Sequence, residues 1–334
     1  MVSIIIVNLN GCEYLKVCFQ SLSSLTFNNH EIILVDNASS DDSVEFVKKD
    51  YPEIKIIENK ENLGFAEANN IGAKETKGEY LLFLNNDTKV KPDFLNKLVS
   101  RMEEDFTIGV CQGKLLIMDN PKKFEAIGAY LTFTGFLKHI GLNEIDRDQY
   151  NQEREIFSSR GACMLIRRNI FERIGGFDKD FFAYFEESDV AWRVWLAGYR
   201  IIYIPQSVIY HKMGATTQNL AFSFIQYHSY KNRICSLIKN PELKNLFFLL
   251  PFHLFLCLTL VFVSLLCLKD GRAGAILKAI VWNIKHLRAT LQKRRFVQSQ
   301  IRKVRDREIF SRVGVRIPFT QFWGSMKWFV NKGW

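Results

Sequence analysis

The chain has 334 residues, 48% of them hydrophobic and 24% charged, a length that permits two or three units and a substantial buried core. Its net charge of +10 is unevenly placed: residues 1–150 carry −7, residues 151–240 carry +4 and residues 241–334 carry +13, so the basic surplus belongs to the tail. Seven cysteines, odd in number and without a Cys-x-x-Cys pair, argue against a disulfide frame or a zinc site. Met1-Val2-Ser3 lacks a basic region and the apolar run Ile4-Ile5-Ile6-Val7 is short for a secretory signal, so this part of the chain is expected in the cytoplasm.

Residues 2–8 read as a first buried strand, Asn10-Gly11 as a turn, and Leu15, Leu22 and Leu25 as the face of a helix. A second strand over 31–35 ends at Asp36, followed by a polar loop, 37–42, able to cap the next helix. Residues 54–57 form a third strand, 59–64 a loop, and a helix begins near Phe65. Tyr80-Leu81-Leu82-Phe83-Leu84 reads as a parallel strand, because a strand covered on both faces loses its in/out alternation. It stops at Asn85-Asn86-Asp87, which taken alone is equally well a turn. Ligands of open α/β sheets bind beyond the carboxyl ends of strands, which would set Asp36 and Asp87 at the mouth of a site. The alternation predicts an α/β, Rossmann-like, mostly parallel sheet with right-handed crossovers. No Gly-x-Gly-x-x-Gly follows the first strand, so a nicotinamide cofactor is not expected.

The middle of the chain concentrates glycines and aromatics between residues 161 and 199. Glu186, Glu187 and Asp189 open a helix that carries Val190, Val194 and Trp195. Acids in a first turn complement the helix dipole, and Asp189 can pair with Arg193 at i,i+4. An aromatic wall beside adjacent acids also suits a sugar-binding cleft. A strand over 200–204, Pro205, and then Tyr210-His211 follow; a lone His gains force only from its company.

Residues 246–268 run 23 residues without a charge, long enough to span a bilayer, interrupted by Pro251 and His253. Both flanks are basic, with Lys231, Arg233, Lys239 and Lys244 before the run and Lys269, Arg272 and Lys278 after it, so a single span would violate the positive-inside rule. A re-entrant or interfacial arrangement is expected instead, with Pro251 bending the entry and residues 273–287 as a second limb. Lys293-Arg294-Arg295, Arg302-Lys303 and Arg305, with Phe296, Val297 and Ile301 between them, read as a basic amphipathic helix on anionic membrane lipids, the alternative being a solvated helix. Nucleic acid is not expected, since no RNA-binding motif accompanies the charge. The terminal Phe319, Phe322, Trp323, Trp328, Phe329 and Trp334 resemble an interface belt.

Several motifs in order resemble the family-two glycosyltransferases of GT-A fold, particularly the rhamnosyltransferase-like branch of bacterial polysaccharide assembly. They are the Val2-Ser3-Ile4-Ile5-Ile6-Val7-Asn8 strand, Val35-Asp36-Asn37-Ala38-Ser39, Asn62-Leu63-Gly64-Phe65-Ala66-Glu67-Ala68-Asn69-Asn70, Leu84-Asn85-Asn86-Asp87 and Glu186-Glu187-Ser188-Asp189. The resemblance covers about the first 240 residues. It implies a GT-A domain over 1–240, divided into a nucleotide-sugar half (1–110) and an acceptor half (111–240), followed by a membrane-associating region over 241–334. Donor contacts are implied at Asn8, Asn10, Asp36, Asn62, Gly64, Asn69 and Asn86, and acceptor contacts at Gly161, Tyr184 and Asp189. Asp87 and His211 would hold Mn2+ or Mg2+, and Glu187, with Glu186 as a possible partner, would be the catalytic base. The implied activity is inverting transfer of L-rhamnose from dTDP-rhamnose, a nucleotide-sugar donor, to a polyprenyl-diphosphate-linked saccharide at the cytoplasmic membrane face. A UDP-hexose donor or a catalytically silent scaffold are the alternatives. Two departures stand out: Glu187 occupies a position where Asp is usual, and Asn85 replaces the first acid of the stricter metal motif.

Overall fold

β1 (Val2–Asn8) fixes the centre of the sheet, because its VSIIIVN sequence is buried at six of seven positions and demands cover on both faces. After α1 (Cys12–Leu22) comes β2 (His30–Asp36), pairing Ile32 with Ile4 in parallel, and after α2 (Ser43–Asp50) comes β3 (Lys55–Glu58) on the outer edge. α3 (Gly64–Lys74) then carries the chain back over the sheet, and β4 (Tyr80–Asn85) pairs with the other side of β1, Leu82 against Ile4. The direction of winding therefore reverses between β1 and β4, and a crevice opens beyond Asn8 and Asn85, where doubly wound sheets take their ligands. The structure is a computed structural model that describes residues 1–212, 214, 221–267 and 270–315. The terminal aromatics from position 319 onward, and Lys269, lie outside the described residues.

The second half departs from a purely parallel sheet. After β5 (Thr88–Val90) and α4 (Phe94–Glu104), β6 (Ile108–Ile117) and β7 (Asn120–Ala126) form an antiparallel pair, and β8 (Ala129–Thr132) with β9 (Leu137–His139) a hairpin in a separate small sheet. β10 (Arg154–Glu155) leads to β11 (Cys163–Arg167), which lies antiparallel between β4 and β6. No helix intervenes between β10 and β11, so the chain lacks the crossover that a parallel entry requires. α5 (Arg168–Arg173) and α6 (Glu186–Leu196) precede β12 (Arg200–His211), which lies parallel to β6 and antiparallel to β5. β12 continues past Pro205, where a strand end was expected: a register shift between Ile204 and Val208 absorbs the residue that cannot donate to the ladder. This pairing sets His211 opposite Thr88, beside Asp87.

The tail is helical and packs on the same body. α7 (Phe222–Lys239), α8 (Leu243–Leu266), α9 (Asp270–Lys285), α10 (Leu287–Phe296), a π-helical turn (Val297–Ile301) and α11 (Asp306–Val313) lead to β13 (Gly314–Val315), which adds to β8. Val297, Ile301, Ile309 and Val313 join the core that holds Phe83, Phe171 and Trp195, so residue 240 marks no gap in the packing. α8 runs as one helix through Pro251. α9, expected as a membrane limb, buries Ala273, Ile276 and Ala279 against Tyr230 and Cys257. The expected basic helix is shorter than its charge run, and several cations tie the tail down: Lys293 pairs with Asp178 and Asp180, Arg294 donates to backbone carbonyls of Ile238 and Pro241, and Arg302 pairs with Asp306.

Candidate active site

At the strand ends, amides and hydroxyls hold the loops in one arrangement. Asn8 Nδ2 donates to Asp36 Oδ1 and to Ser39 Oγ, each at 3.1 Å, and Asn86 Nδ2 donates to Asn8 Oδ1 at 2.7 Å. Asp36 also accepts the Ser39 backbone N–H (2.8 Å) and its hydroxyl (2.5 Å), closing a tight Asx-type turn. Asn10, at φ +51°, accepts the Ser40 N–H at 2.7 Å. Gly11 follows it, and a Cβ there would lie 2.3 Å from Asn86 Nδ2, so a side chain would push the strand ends apart.

The start of α3 is clamped to the other half of the molecule. Asn62 Oδ1 accepts the Gly64 N–H at 2.9 Å, and Phe65 N–H donates to Phe182 O at 2.6 Å. Gly64 sits at φ +79°, and a Cβ would meet Phe182 O at 2.4 Å, which makes glycine obligatory on both counts. Asn69, expected at the donor end, is 1% exposed and gives its amide to Phe65 O within α3.

Asp87 and His211 meet at the mouth of the crevice. Asp87 Oδ1 lies 3.0 Å from His211 Nε2 but off the hydrogen-bond direction, and this buried oxygen has no hydrogen-bond partner. Asn85 Oδ1 is likewise buried and unpartnered, and Asn85 Nδ2 is 3.4 Å from His211 Nε2. His211 Nδ1 is held by Glu125 Oε2 at 2.5 Å, and Glu125 Oε1 accepts from Arg160 Nη2 at 3.0 Å. Burial opposes charge on both partners, but each charge outweighs it for the other: Glu125, and then Asp87, raise His211 to about 10, while His211 and Arg160 lower Glu125 to about 2. An orphaned carboxylate oxygen beside an imidazole whose far nitrogen is fixed by a carboxylate fits a divalent cation, which would displace the proton that the carboxylates otherwise hold on His211. Among the described residues no three His, Cys, Asp or Glu side chains converge as a closed cage. Such a donor set suits an ion that takes its remaining ligands from phosphate and water.

The acidic motif sits on a strained corner. Tyr184 (φ +69°) and Phe185 (φ +72°) are both left-handed, and Asn232 of α7 pins them by donating to Ala183 O (2.9 Å) and Tyr184 O (2.6 Å). The turn delivers Glu186 and Glu187 at the N-terminus of α6. Glu186 is 6% exposed with Oε2 unpartnered, and burial, then the charge of Glu187, raises it well above the usual carboxylate range. Glu187 is more open and is also raised by burial, with Arg160 opposing and the Ser188 hydroxyl donating at 3.1 Å. Burial and Glu186 raise the Tyr184 phenol to about 12. A Cβ on Gly161 would lie 3.7 Å from Glu186 Oε1, so this glycine borders the corner. Arg160 therefore stands between the two clusters, paired with Glu125 on one side and opposing the raised Glu187 on the other.

Asp189 does not share the site. It is fully buried, and its oxygens take Arg193 Nε (3.1 Å), Lys239 Nζ (3.0 Å), Ser236 Oγ (2.8 Å) and Asn240 Nδ2 (2.9 Å). Expected at the acceptor end, Asp189 here ties α6 to α7, and the Arg193 pairing visible in the sequence is one of its four contacts.

A sequence model described as glycosyl transferase family 2 matches residues 3–175, slightly more than half of the chain. The chain belongs to that family. It is 28% identical over 179 residues to an uncharacterized glycosyltransferase of Haemophilus influenzae, covering 53% of this chain and 56% of that one, so it accounts for about half the length of that relative. It is 28% identical over 219 residues to rhamnosyltransferase WbbL of Escherichia coli K12, covering 61% and 81%. The N-acetylglucosaminyl-diphospho-decaprenol L-rhamnosyltransferase of Mycobacterium tuberculosis is 25% identical over 238 residues, covering 64% and 77%. In fold the chain is similar to the mannosyltransferase PcManGT from Pyrobaculum calidifontis, solved with GDP-Man and Mn2+, at TM-score 0.53 and 17% identity over 90% of this chain and 83% of that one. It is also similar to S. aureus TarS residues 1–349, at TM-score 0.56 and 16% identity over 89% and 90%. The GT-A architecture expected from the motifs is therefore present, and the rhamnosyltransferase relatives agree with the branch.

Glu125, Arg160 and Asn232 escaped the sequence reading. Each is a single polar residue in an otherwise ordinary strand, loop or helix, and only the pairing of β6 with β7 and the packing of α7 on the 183–185 turn give them partners.

Proposed function

We propose that the protein is an inverting glycosyltransferase that moves L-rhamnose from dTDP-rhamnose to a polyprenyl-diphosphate-linked saccharide at the cytoplasmic membrane face. The observation that carries the proposal is the unpartnered Asp87 Oδ1 beside His211, together with a buried two-carboxylate corner, with Arg160 bonded to Glu125 behind His211 and its charge felt at Glu187. The rhamnosyltransferase names of two relatives support the donor, and the decaprenol-linked name of one supports the acceptor class.

In the proposed reaction the acceptor oxygen forms a bond to the anomeric carbon while the bond to the donor diphosphate breaks, the diphosphate keeping the electron pair. The acceptor proton passes to Glu187, the more open carboxylate, whose proton affinity burial raises, as a general base requires. Glu186, more deeply buried beside it, is raised further by burial and by the charge of Glu187. A divalent ion, Mn2+ or Mg2+, held by Asp87 and His211 would supply positive charge against the departing diphosphate. Asn8, Asn10, Asp36, Asn62, Gly64 and Asn86 shape the donor end, and Gly161 and Tyr184 border the acceptor end.

The test is a donor panel of dTDP-rhamnose with UDP- and GDP-sugars, offered with a lipid-linked acceptor and with Mn2+, Mg2+ or chelator. Metal-dependent turnover of dTDP-rhamnose alone supports the reading; turnover confined to a UDP-hexose replaces the donor, and tight nucleotide binding without any turnover marks a silent scaffold.

A further inference from the structure

The outer face of α8 has no part in this chemistry. Phe247, Phe248, Phe255, Phe262 and Leu266 are each 62–78% exposed and recur on one stripe of the 24-residue helix, a length of about 36 Å. The opposite stripe is buried in the protein: His253 Nδ1 lies 2.9 Å from Thr134 O, and the His253 ring lies 4.7 Å from that of Phe136. A helix packed along one side by its own protein cannot be ringed by lipid unless that packing is lost. Residues 243–305 carry twelve Lys or Arg and a single acid, Asp270. Lys278, Lys285, Arg288 and Arg295 are exposed and make no ion pair among the described residues. Exposed aromatic side chains on α8 and uncompensated cations on the helices that follow it match the chemistry of an anionic lipid surface, rings at the acyl boundary and cations at the phosphates.

We propose that α8 lies in the plane of an anionic leaflet and inserts its phenylalanine face from one side, without spanning. This deepens the reading of the acceptor as lipid-linked and rests on that reading for its purpose. A short run of contacts joins the face to the acidic corner: His253 packs on Phe136, the Arg233 guanidinium lies over the Phe136 ring (4.6 Å) and the Phe185 ring (5.1 Å), and Phe185 precedes Glu186. A headgroup at the bilayer surface is thereby brought near the carboxylates.

The experiment is co-sedimentation of the full chain with vesicles of phosphatidylcholine alone or mixed with phosphatidylglycerol. The triple variant Phe248→Ser, Phe255→Ser, Phe262→Ser should lose at least tenfold in affinity for the mixed vesicles, with little change in melting temperature because these side chains are mostly exposed. Arg288→Gln with Arg295→Gln should weaken binding to the mixed vesicles only. In intact spheroplasts expressing Lys244→Cys, which places a thiol at one end of α8 with Cys267 at the other, an impermeant maleimide should label neither position, and after lysis both. Labelling of one end in intact spheroplasts would mean a span and overturn the inference. So would unchanged vesicle binding by the triple variant, or conversion of a dimer to a monomer with vesicle binding intact, which would assign the face to a second copy. Donor turnover measured in parallel judges the transferase reading separately, since vesicle binding alone decides this one.

Discussion

Glu186 and Glu187 are consecutive, yet the first is buried while the second is more open and has Arg160 opposing its raised pKa. If Glu187 is the base, kcat/KM must fall as pH drops through its raised pKa, because the protonated carboxyl accepts nothing. Arg160→Gln removes the charge that opposes the rise, so the acidic limb of the profile should move to higher pH, whereas Arg160→Lys should leave it nearly in place. Glu125 acts at one remove, through His211. Glu125→Gln should weaken Mn2+ binding by about 10–100-fold, as the loss of a carboxylate behind a ligating histidine does elsewhere, read by titration of Mn2+ without substrate.

Among the elements, β1, β2 and β4 were legible because strands buried on both faces become continuous apolar runs, and their acid or amide ends follow from that. β6 was not: Gln112, Gly113 and Lys114 interrupt it, and Lys114 is buried only because Asp146 and Asn151 meet its ammonium at 2.9 Å. The candidate metal pair was half legible, Asp87 from its strand and His211 from resemblance, while their meeting depends on β12 pairing with β5. The side of α8 that faces outward could not be read, since an apolar helix carries too little pattern to show which stripe packs. The clamp between α3 and the 182–185 turn gives a test at this scale. Gly64→Ala must either move Phe182 or abandon φ +79°, so it should cost about 1–3 kcal/mol, read by denaturant unfolding, and weaken nucleotide binding with it.

Across the whole molecule, a buried ionic network joins the acidic corner to the tail: Asp189 and Asp178 share Lys239, and Asp178 also takes Lys293 of α10. Asp189→Ala strands Arg193 next to Lys239 in the interior, and should cost about 3–5 kcal/mol while leaving the first 110 residues' contacts unchanged. The proposed membrane face and the proposed base are thus attached to one body, which would let a soluble donor meet a lipid-bound acceptor at Glu187. The central claim is that Glu187 takes the acceptor proton, and its most direct test is the single-turnover transfer rate of wild type against Glu187→Gln, with donor affinity measured on the same samples. The account predicts a rate lower by about 10²–10⁴-fold with donor affinity unchanged. Transfer at the wild-type rate by Glu187→Gln would contradict it.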